Sequence, residues 1–467
     1  MMKFLPLPCL SQNRILVLVI TMILTLPLQA QELFSRKEVL EDLDYLYESL
    51  QAAHYNAFAY TPKAEFDSVY TSIKNTIQKD SMNLLEITNA FQPLTSAINN
   101  GHTAIEFPIP LYVKYAYAGG KVFPLELAFE NGRALVRKNW SGNESITTDS
   151  ELISINGVPV DTLLSKIYPH ISAERPYFKK AKLELLTFPR YYWQVFGEQA
   201  EFAVEIRANG SEKIYNLKAI KALDDYEMKR VDIITGSREL NYFGETAYLK
   251  PGNFSGDEAA YRKFIDSSFV AVKEKKSRNL VLDFRNNAGG DDSFSDYLVS
   301  YIADKPFKWY GDFSLKTSKF LKEHVRKERD TTNAFWRSAL KHENGEIYDY
   351  DFEAHMPQPR EKRFEGKVYV LINRQTHSQS AVAAAQIQDY GFATLAGEET
   401  GDYPSLYASI YSYTLPNTGI PVNVSKGRII RVNGSTKEEG VVPDIPVRDH
   451  LLDEEDEILM HLLQEIR

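Results

Sequence analysis

The apolar positions of this chain change period twice, dividing it into three stretches. From residue 33 to about 100 they recur at helical spacing. Val39, Leu40, Leu43, Leu46, Tyr47 and Leu50 share one helix face, and Ser35 is placed to cap that helix. Pro62 opens a second helical stretch to Ile77, and a third runs from Met82 to Ile98. The stretch closes in the turn Asn99-Asn100-Gly101-His102-Thr103. From about Phe107 to Ile220 short strand-like runs alternate with turns. Leu125 to Phe129 and Ala134 to Val136 flank Asn131-Gly132, a strong hairpin signal. Glu151 to Val160 reads as strand, turn and strand around Asn156-Gly157. Phe202 to Ile206 and Ile214 to Leu217 flank Asn209-Gly210. From about Gly244 strands alternate with helices. Asn279 to Phe284 and Val368 to Ile372 are apolar throughout their middles, as expected of strands buried on both faces. That alternation predicts an α/β core. Residues 306 to 365 are charged and aromatic without a clear period and read as a surface insertion.

The first thirty residues stand apart. Lys3 and Arg14 are their only charges, Ile15 to Leu26 is mostly apolar, and Leu28-Gln29-Ala30 offers a small residue before a cut. This is the pattern of a signal peptide. The alternative is a membrane anchor, for which the run is short. The expectation is export to a periplasmic or extracellular place, with no stable membrane span once the signal is removed. The sole cysteine, Cys9, lies in that segment, so residues 31–467 have neither disulfide nor thiolate chemistry. The resulting division is 1–30 signal peptide, 31–106 helical domain, 107–225 β-rich module and 226–467 α/β core. The 467 residues are 43% hydrophobic and 25% charged, in the range of soluble globular proteins, with net charge −9. That balance argues against nucleic-acid binding and polybasic docking on anionic lipid. No HExxH pattern or cysteine–histidine cluster is present, so neither metal nor cofactor is expected.

In open α/β sheets, ligands gather outside the carboxyl ends of the strands. Two such ends stand out. The first is Arg285-Asn286-Asn287-Ala288-Gly289-Gly290, whose glycines either make a tight connection or expose N–H groups to a developing oxyanion. The second is Ser378, between a buried strand and the next helix. It is either a helix cap or a nucleophile in the positive field of a helix terminus, with Ser380 as competitor for both roles. A nucleophilic serine needs a base. His102 lies in a turn where a partner can reach it, His377 adjoins Ser378 but points away if the backbone is extended, and His54 reads as structural. Glu438 and Glu439 are either a solvated charged pair or the group that orients the base.

Several ordered motifs resemble the tail-specific, or C-terminal processing, serine peptidases. Val281 to Gly290 resembles their strand-to-Gly-Gly signature, and Asn373 through Ser378-Gln379-Ser380 to Gly391 their nucleophile segment. Gly397 to Gly401 resembles their next turn, and Arg431 to Ile445 their closing motif. Glu151 to Val160 resembles the PDZ-type peptide-binding module. The resemblance implies a crotonase-like (ClpP/crotonase) protease core with an N-terminal helical segment and a PDZ-like β-rich module, acting on protein or peptide substrates. It implies Ser378 as nucleophile, and Gly289 or Gly290 with Gln379 as oxyanion hole. Asn287 and Tyr403 are the candidate substrate contacts. Tyr403 also occupies the place of the lysine base of one branch; with a pKa near 10, tyrosine is a poor base at neutral pH. The resemblance therefore runs to the Ser-His-Glu branch, with His102 as base and Glu438 or Glu439 as its partner. The alternatives are an inactive member that binds peptides or apolar ligands, and a crotonase-like thioester enzyme.

Overall fold

The computed structural model describes residues 32–234 and 236–466. The expected signal segment, 1–30, lies outside the described residues.

Local sequence signals account for most elements. Ser35 caps helix Arg36–Ala53 in a reciprocal box with Glu38, and Asn83 does the same with Glu86 for helix Leu84–Ser96. The turn residues Asn131-Gly132, Asn156-Gly157 and Asn209-Gly210 all have positive φ, as type I′ hairpins require. The first joins Leu125–Glu130 to Arg133–Asn139, the second Glu151–Ile155 to the short strand Val158–Pro159, and the third Glu201–Ala208 to Ser211–Lys218. Apart from Val158–Pro159, which pairs beside Glu151–Ile155, these strands lie in chain order across the antiparallel sheet of the β-rich module. Helices Pro176–Leu186 and Phe188–Phe196 pack on it, and Phe123, Phe188, Tyr192 and Phe202 form an aromatic centre.

A six-stranded sheet carries the α/β core. Its order is Glu239–Phe243, Thr246–Lys250, Asn279–Asp283, Lys367–Ile372, Thr394–Gly397 and Ile445–Pro446, parallel from the second strand on. Its middle strands are almost wholly buried, which explains their unbroken apolar runs. Helices Glu258–Glu274, Asp292–Val299 and Gln379–Tyr390 fill one apolar cluster with it.

Residues 306–365 depart from the expectation of a surface insertion. Strands Asp312–Lys316 and Ile347–Asp349 pair with the long hairpin Leu406–Thr414 and Pro421–Ile430 in a four-stranded antiparallel sheet. Trp309, Tyr310, Phe313 and Leu315 are buried there. The aromatic residues face a hairpin nearly a hundred residues away, so no local period betrays them.

The same hairpin holds the N-terminal helices. Leu415, Ile420 and Val422 belong to the cluster formed by Val39, Leu43, Leu46, Phe66 and Phe91. Beside it, Ala104 and Asn423 exchange backbone hydrogen bonds of 3.1 and 2.9 Å. The turn that carries His102 is thereby stitched to the core. No helix among the described residues is long and apolar enough to cross a membrane.

Candidate functional site

The chain reverses sharply at Ser378. Strand Lys367–Ile372 ends, and helix Gln379–Tyr390 begins at a serine with φ 55° and ψ −134°. That left-handed conformation is strained for a residue with a Cβ. Asp402 helps hold it, because its Oδ2 accepts the Ser378 N–H at 2.8 Å. Ser378 makes no capping hydrogen bond, and its hydroxyl has no partner among the described residues. Its oxygen is thus left for chemistry at the helix's positive end. The competitor Ser380 is fully buried and lines neither of the cavities described below.

The Gly-Gly turn lies against this elbow. Gly289 has φ +82°, and a Cβ there would stand 2.7 Å from the Ser378 Cβ and 2.7 Å from the Gln379 nitrogen. A Cβ on Gly290 would overlap the Phe254 carbonyl oxygen. Only glycine permits both approaches. The Gly289 N–H is engaged, donating to Asn287 Oδ1 at 2.9 Å. The N–H groups of Gly290 and Gln379 have no acceptor among the described residues. Asn287 is buried; its side chain ties Gly289 N to the Gly252 carbonyl (2.8 Å) and lines neither cavity.

His102 arrives from the far end of the sequence. Two cavities are lined by both His102 and Ser378. One of about 280 Å³ includes Phe178, Lys182 and His377, and one of about 560 Å³ reaches Gly290, Gln379 and Lys426. The turn that presents His102 is fixed by Asn100, whose Nδ2 donates to Glu174 Oε1 at 2.9 Å and whose Oδ1 accepts from Ser425 Oγ at 2.7 Å. His54 is fully buried, with Nε2 3.4 Å from Asn100 Oδ1, so its place is behind this turn rather than in the cavity. His377 lies opposite Phe178, its Nδ1 3.2 Å from the Gln375 carbonyl.

Two carboxylates flank His102. Nε2 is 3.8 Å from Asp402 Oδ2, an ion-pair distance rather than a hydrogen bond, and Nδ1 has no partner among the described residues. Glu174 accepts the Gly101 N–H at 2.8 Å through Oε1, while Oε2 has no partner. Burial holds His102 down to about 4, against the pull of Glu174. It pushes Asp402 up to about 6, and raises Glu174 too, with the neighbouring Asp402 charge adding to the effect. The imidazole is therefore neutral near pH 7. Arg175 clamps the loop before Asp402, donating to Glu399 Oε1 (2.7 Å), the Thr400 carbonyl (2.6 Å) and the Gly401 carbonyl (3.2 Å). Tyr403 packs its ring 5.2 Å from the same guanidinium, and burial raises its phenol.

Glu438 and Glu439 lie elsewhere. Gly440 N donates to Glu399 Oε1 and Val441 N to Thr400 Oγ1, both at 2.8 Å, and these bonds draw the closing turn to the outer side of that loop. Glu438 is exposed and lines a separate cavity with Tyr60 and Arg428, and Glu439 pairs with Lys437 at 3.6 Å. Neither has an ion pair or hydrogen bond to His102. Asp402 and Glu174 escape a reading of the sequence. Asp402 adjoins Tyr403, a position the resemblance marks; Glu174 gives no local signal.

Among the described residues, two groups have donors spaced for a cation, each with its ligand atoms within 4.8 Å of one another: His102, Glu174 and Asp402, and Asp292, Asp296 and His355. In the second, His355 Nε2 already lies 3.0 Å from Asp296 Oδ2.

Comparison with known proteins gives a family match for the core and a fold likeness for most of the chain. Residues 245–447 match the family model "Peptidase family S41". That match spans the α/β core and supports the resemblance to the tail-specific, or C-terminal processing, serine peptidases. Among solved structures, mature CPAF complexed with lactacystin superposes with TM-score 0.63 at 16% identity, over 88% of this chain and 94% of that one. Mature CPAF gives 0.60 at 15% identity, over 88% and 92%. At that identity the likeness is one of fold. No curated protein matches the sequence.

Proposed function

We propose that this chain is an exported, tail-specific-type serine peptidase in which Ser378 is the nucleophile and His102 the general base. The observation that carries the reading is the pair itself. A hydroxyl without a partner and a neutral imidazole line the same cavities, beside two unpaired backbone N–H groups. The Ser378 oxygen attacks a peptide carbonyl as His102 takes its proton. The N–H groups of Gly290 and Gln379 receive the tetrahedral oxyanion. His102 then gives the proton to the leaving amine, and water resolves the acyl-enzyme by the reverse sequence. Asp402 (rather than Glu438 or Glu439) balances the imidazolium and fixes the elbow, with Glu174 holding the turn behind it. The α/β unit acts as a crotonase-like core. The PDZ-like module offers its exposed edge strand, Ser211–Lys218, to an extended peptide.

A fluorophosphonate is expected to label Ser378 in the wild type and not in Ser378→Ala. A folded wild type that takes no label would leave the alternative of an inactive, ligand-binding member.

The pH profile follows from Asp402 and not from an ordinary histidine. Its carboxyl is raised, so it is protonated below about 6 and ionised above. Only the anion can balance an imidazolium, and His102 is already neutral over this range. The groups facing Asp402 are His102, Glu174, Lys182 and Arg175. The labelling rate should therefore climb through pH about 6 and level off by about 7 to 8. In Asp402→Asn the rate should be lower and flat from about pH 5 to 7. An undiminished rise in that variant would assign the limb to another group.

A further inference from the structure

Lys426 belongs to none of the machinery above, yet it lines the 560 Å³ cavity with Ser378 and His102. It lies on strand Pro421–Ile430 and is only 2% exposed. Its Nζ donates to the Ser409 carbonyl at 2.6 Å and the Ser409 hydroxyl at 2.8 Å, and stands 5.1 Å from the Trp336 ring centre and 5.7 Å from that of Phe335. Ser409 is held at φ 55°, a strained conformation that presents both of its oxygens to the ammonium. An ammonium has three donors, and Ser409 accounts for two. No carboxylate among the described residues forms an ion pair with Lys426. The two that line the same cavity, Asp291 and Asp292, follow Gly290 directly and leave Lys426 unpaired. Burial, with Arg329 nearby, draws the lysine down to about 7. A buried cation without a counter-ion is unfavourable unless an anion completes it.

We propose that the end of this cavity lined by Lys426 is a subsite for a substrate carboxylate, walled by Trp309, Phe313, Phe335, Trp336 and Phe352. The ammonium supplies the charge and one hydrogen bond, and the rings take the apolar part of the same residue. The carboxylate is either the free C-terminus of a peptide or an Asp or Glu side chain near the scissile bond. The inference deepens the peptidase reading and rests on it for the word substrate; binding at the subsite can be measured without turnover.

The test is equilibrium binding to the full chain carrying Ser378→Ala, by calorimetry, with peptides of one apolar sequence. Four forms are compared: free C-terminal acid, C-terminal amide, amide with one internal Glu, and amide with Gln in its place. The acid or the Glu peptide is expected to bind at least about 10-fold more tightly than its neutral counterpart, about one charge-assisted contact. Whichever pair shows the gap identifies the source of the carboxylate. In Ser378→Ala with Lys426→Met, checked for folding by circular dichroism, the gap should close. Less than about 2-fold difference in both pairs overturns the proposal, and so does a gap that survives in folded Lys426→Met. Should Lys426→Met fail to fold, Lys426→Gln decides: it keeps a hydrogen-bond donor toward Ser409 but carries no charge, so the gap should close, and a gap that survives in it overturns the proposal. Fluorophosphonate labelling of Ser378 in the wild type is read separately. A labelled serine with no carboxylate preference sinks the subsite alone, whereas a carboxylate preference with no labelling sinks the peptidase reading alone.

Discussion

His102→Ala is expected to lower kcat/KM for a peptide substrate by roughly 10⁴-fold, with folding intact. The side chain is shut into the site, and its Nδ1 has no partner whose loss would unsettle the turn. The turn is instead held by Asn100, by the Gly101 N–H on Glu174, and by the backbone exchange of Ala104 with Asn423. A truncation there should therefore read on chemistry far more than on stability. Without the imidazole, Ser378 must lose its proton to water, and the leaving amine must find another acid. The residual rate comes from the N–H groups of Gly290 and Gln379 and from binding, so the double variant with Ser378→Ala should be little worse than either single one. Single-turnover kinetics check this directly. A loss under about 10-fold would move the base to another group, and Lys182, which lines the smaller cavity with both residues, would be the first to examine.

Arg374→Met is expected to destabilise the protein by about 3–5 kcal/mol, the effect of leaving buried Glu184 and Glu398 without their nearest cation, while Glu130 keeps Arg448 at 2.8 Å. Arg374 Nε donates to Glu184 Oε2 at 2.8 Å, Nη1 to Glu398 Oε1 at 2.8 Å, and Nη2 to Glu130 Oε1 at 3.4 Å. The guanidinium is 4% exposed, and the three carboxylates 0%, 8% and 2% in that order. Glu130 and Glu184 come from the β-rich module, Glu398 from the core, and Arg374 stands four residues before Ser378. Glu184 also accepts the Phe129 N–H at 2.8 Å and Gln375 Nε2 at 2.9 Å, so the network reaches the strand below and the elbow above. Denaturant midpoints should fall, and the labelling rate of Ser378 should fall with them as the elbow loosens. The combined change Arg374→Met, Glu184→Gln should recover part of the stability, because one stranded charge is removed. Unaltered midpoints in Arg374→Met would show that the acids find protons or water at no expense.

Much of the architecture is legible in the sequence because its causes are local. Ser35 with Glu38 and Asn83 with Glu86 announce helix starts within four residues. Three Asn-Gly pairs announce hairpins within two. The parallel strands declare themselves because both faces are covered. The site is legible only in part. Ser378, Gly289 and Gly290 sit at strand ends, where backbone geometry leaves a trace, and His102 sits in a turn rich in Asn and Gly. Asp402 and Glu174 leave no such trace. A single acidic residue in a loop reads as a solvated charge, and only packing between segments more than two hundred residues apart removes its water. The same holds for Lys426, whose burial depends on Trp336 and Phe335 folding over it. It holds also for residues 306–365, whose aromatic side chains answer to a distant hairpin and not to a helix or strand period.

The stitching of the His102 turn to the hairpin has a practical corollary for anyone trimming this protein. A fragment excised at residue 245 would carry the elbow, both glycines, Asp402 and Lys426, and so would look complete to a survey of its motifs. It would lack His102, Glu174 and Lys182, and would bare the hairpin flank where Leu415, Ile420 and Val422 are now covered. Such a piece would be sticky before it was inert, and adding the missing helices as a separate polypeptide would be the natural attempt at complementation.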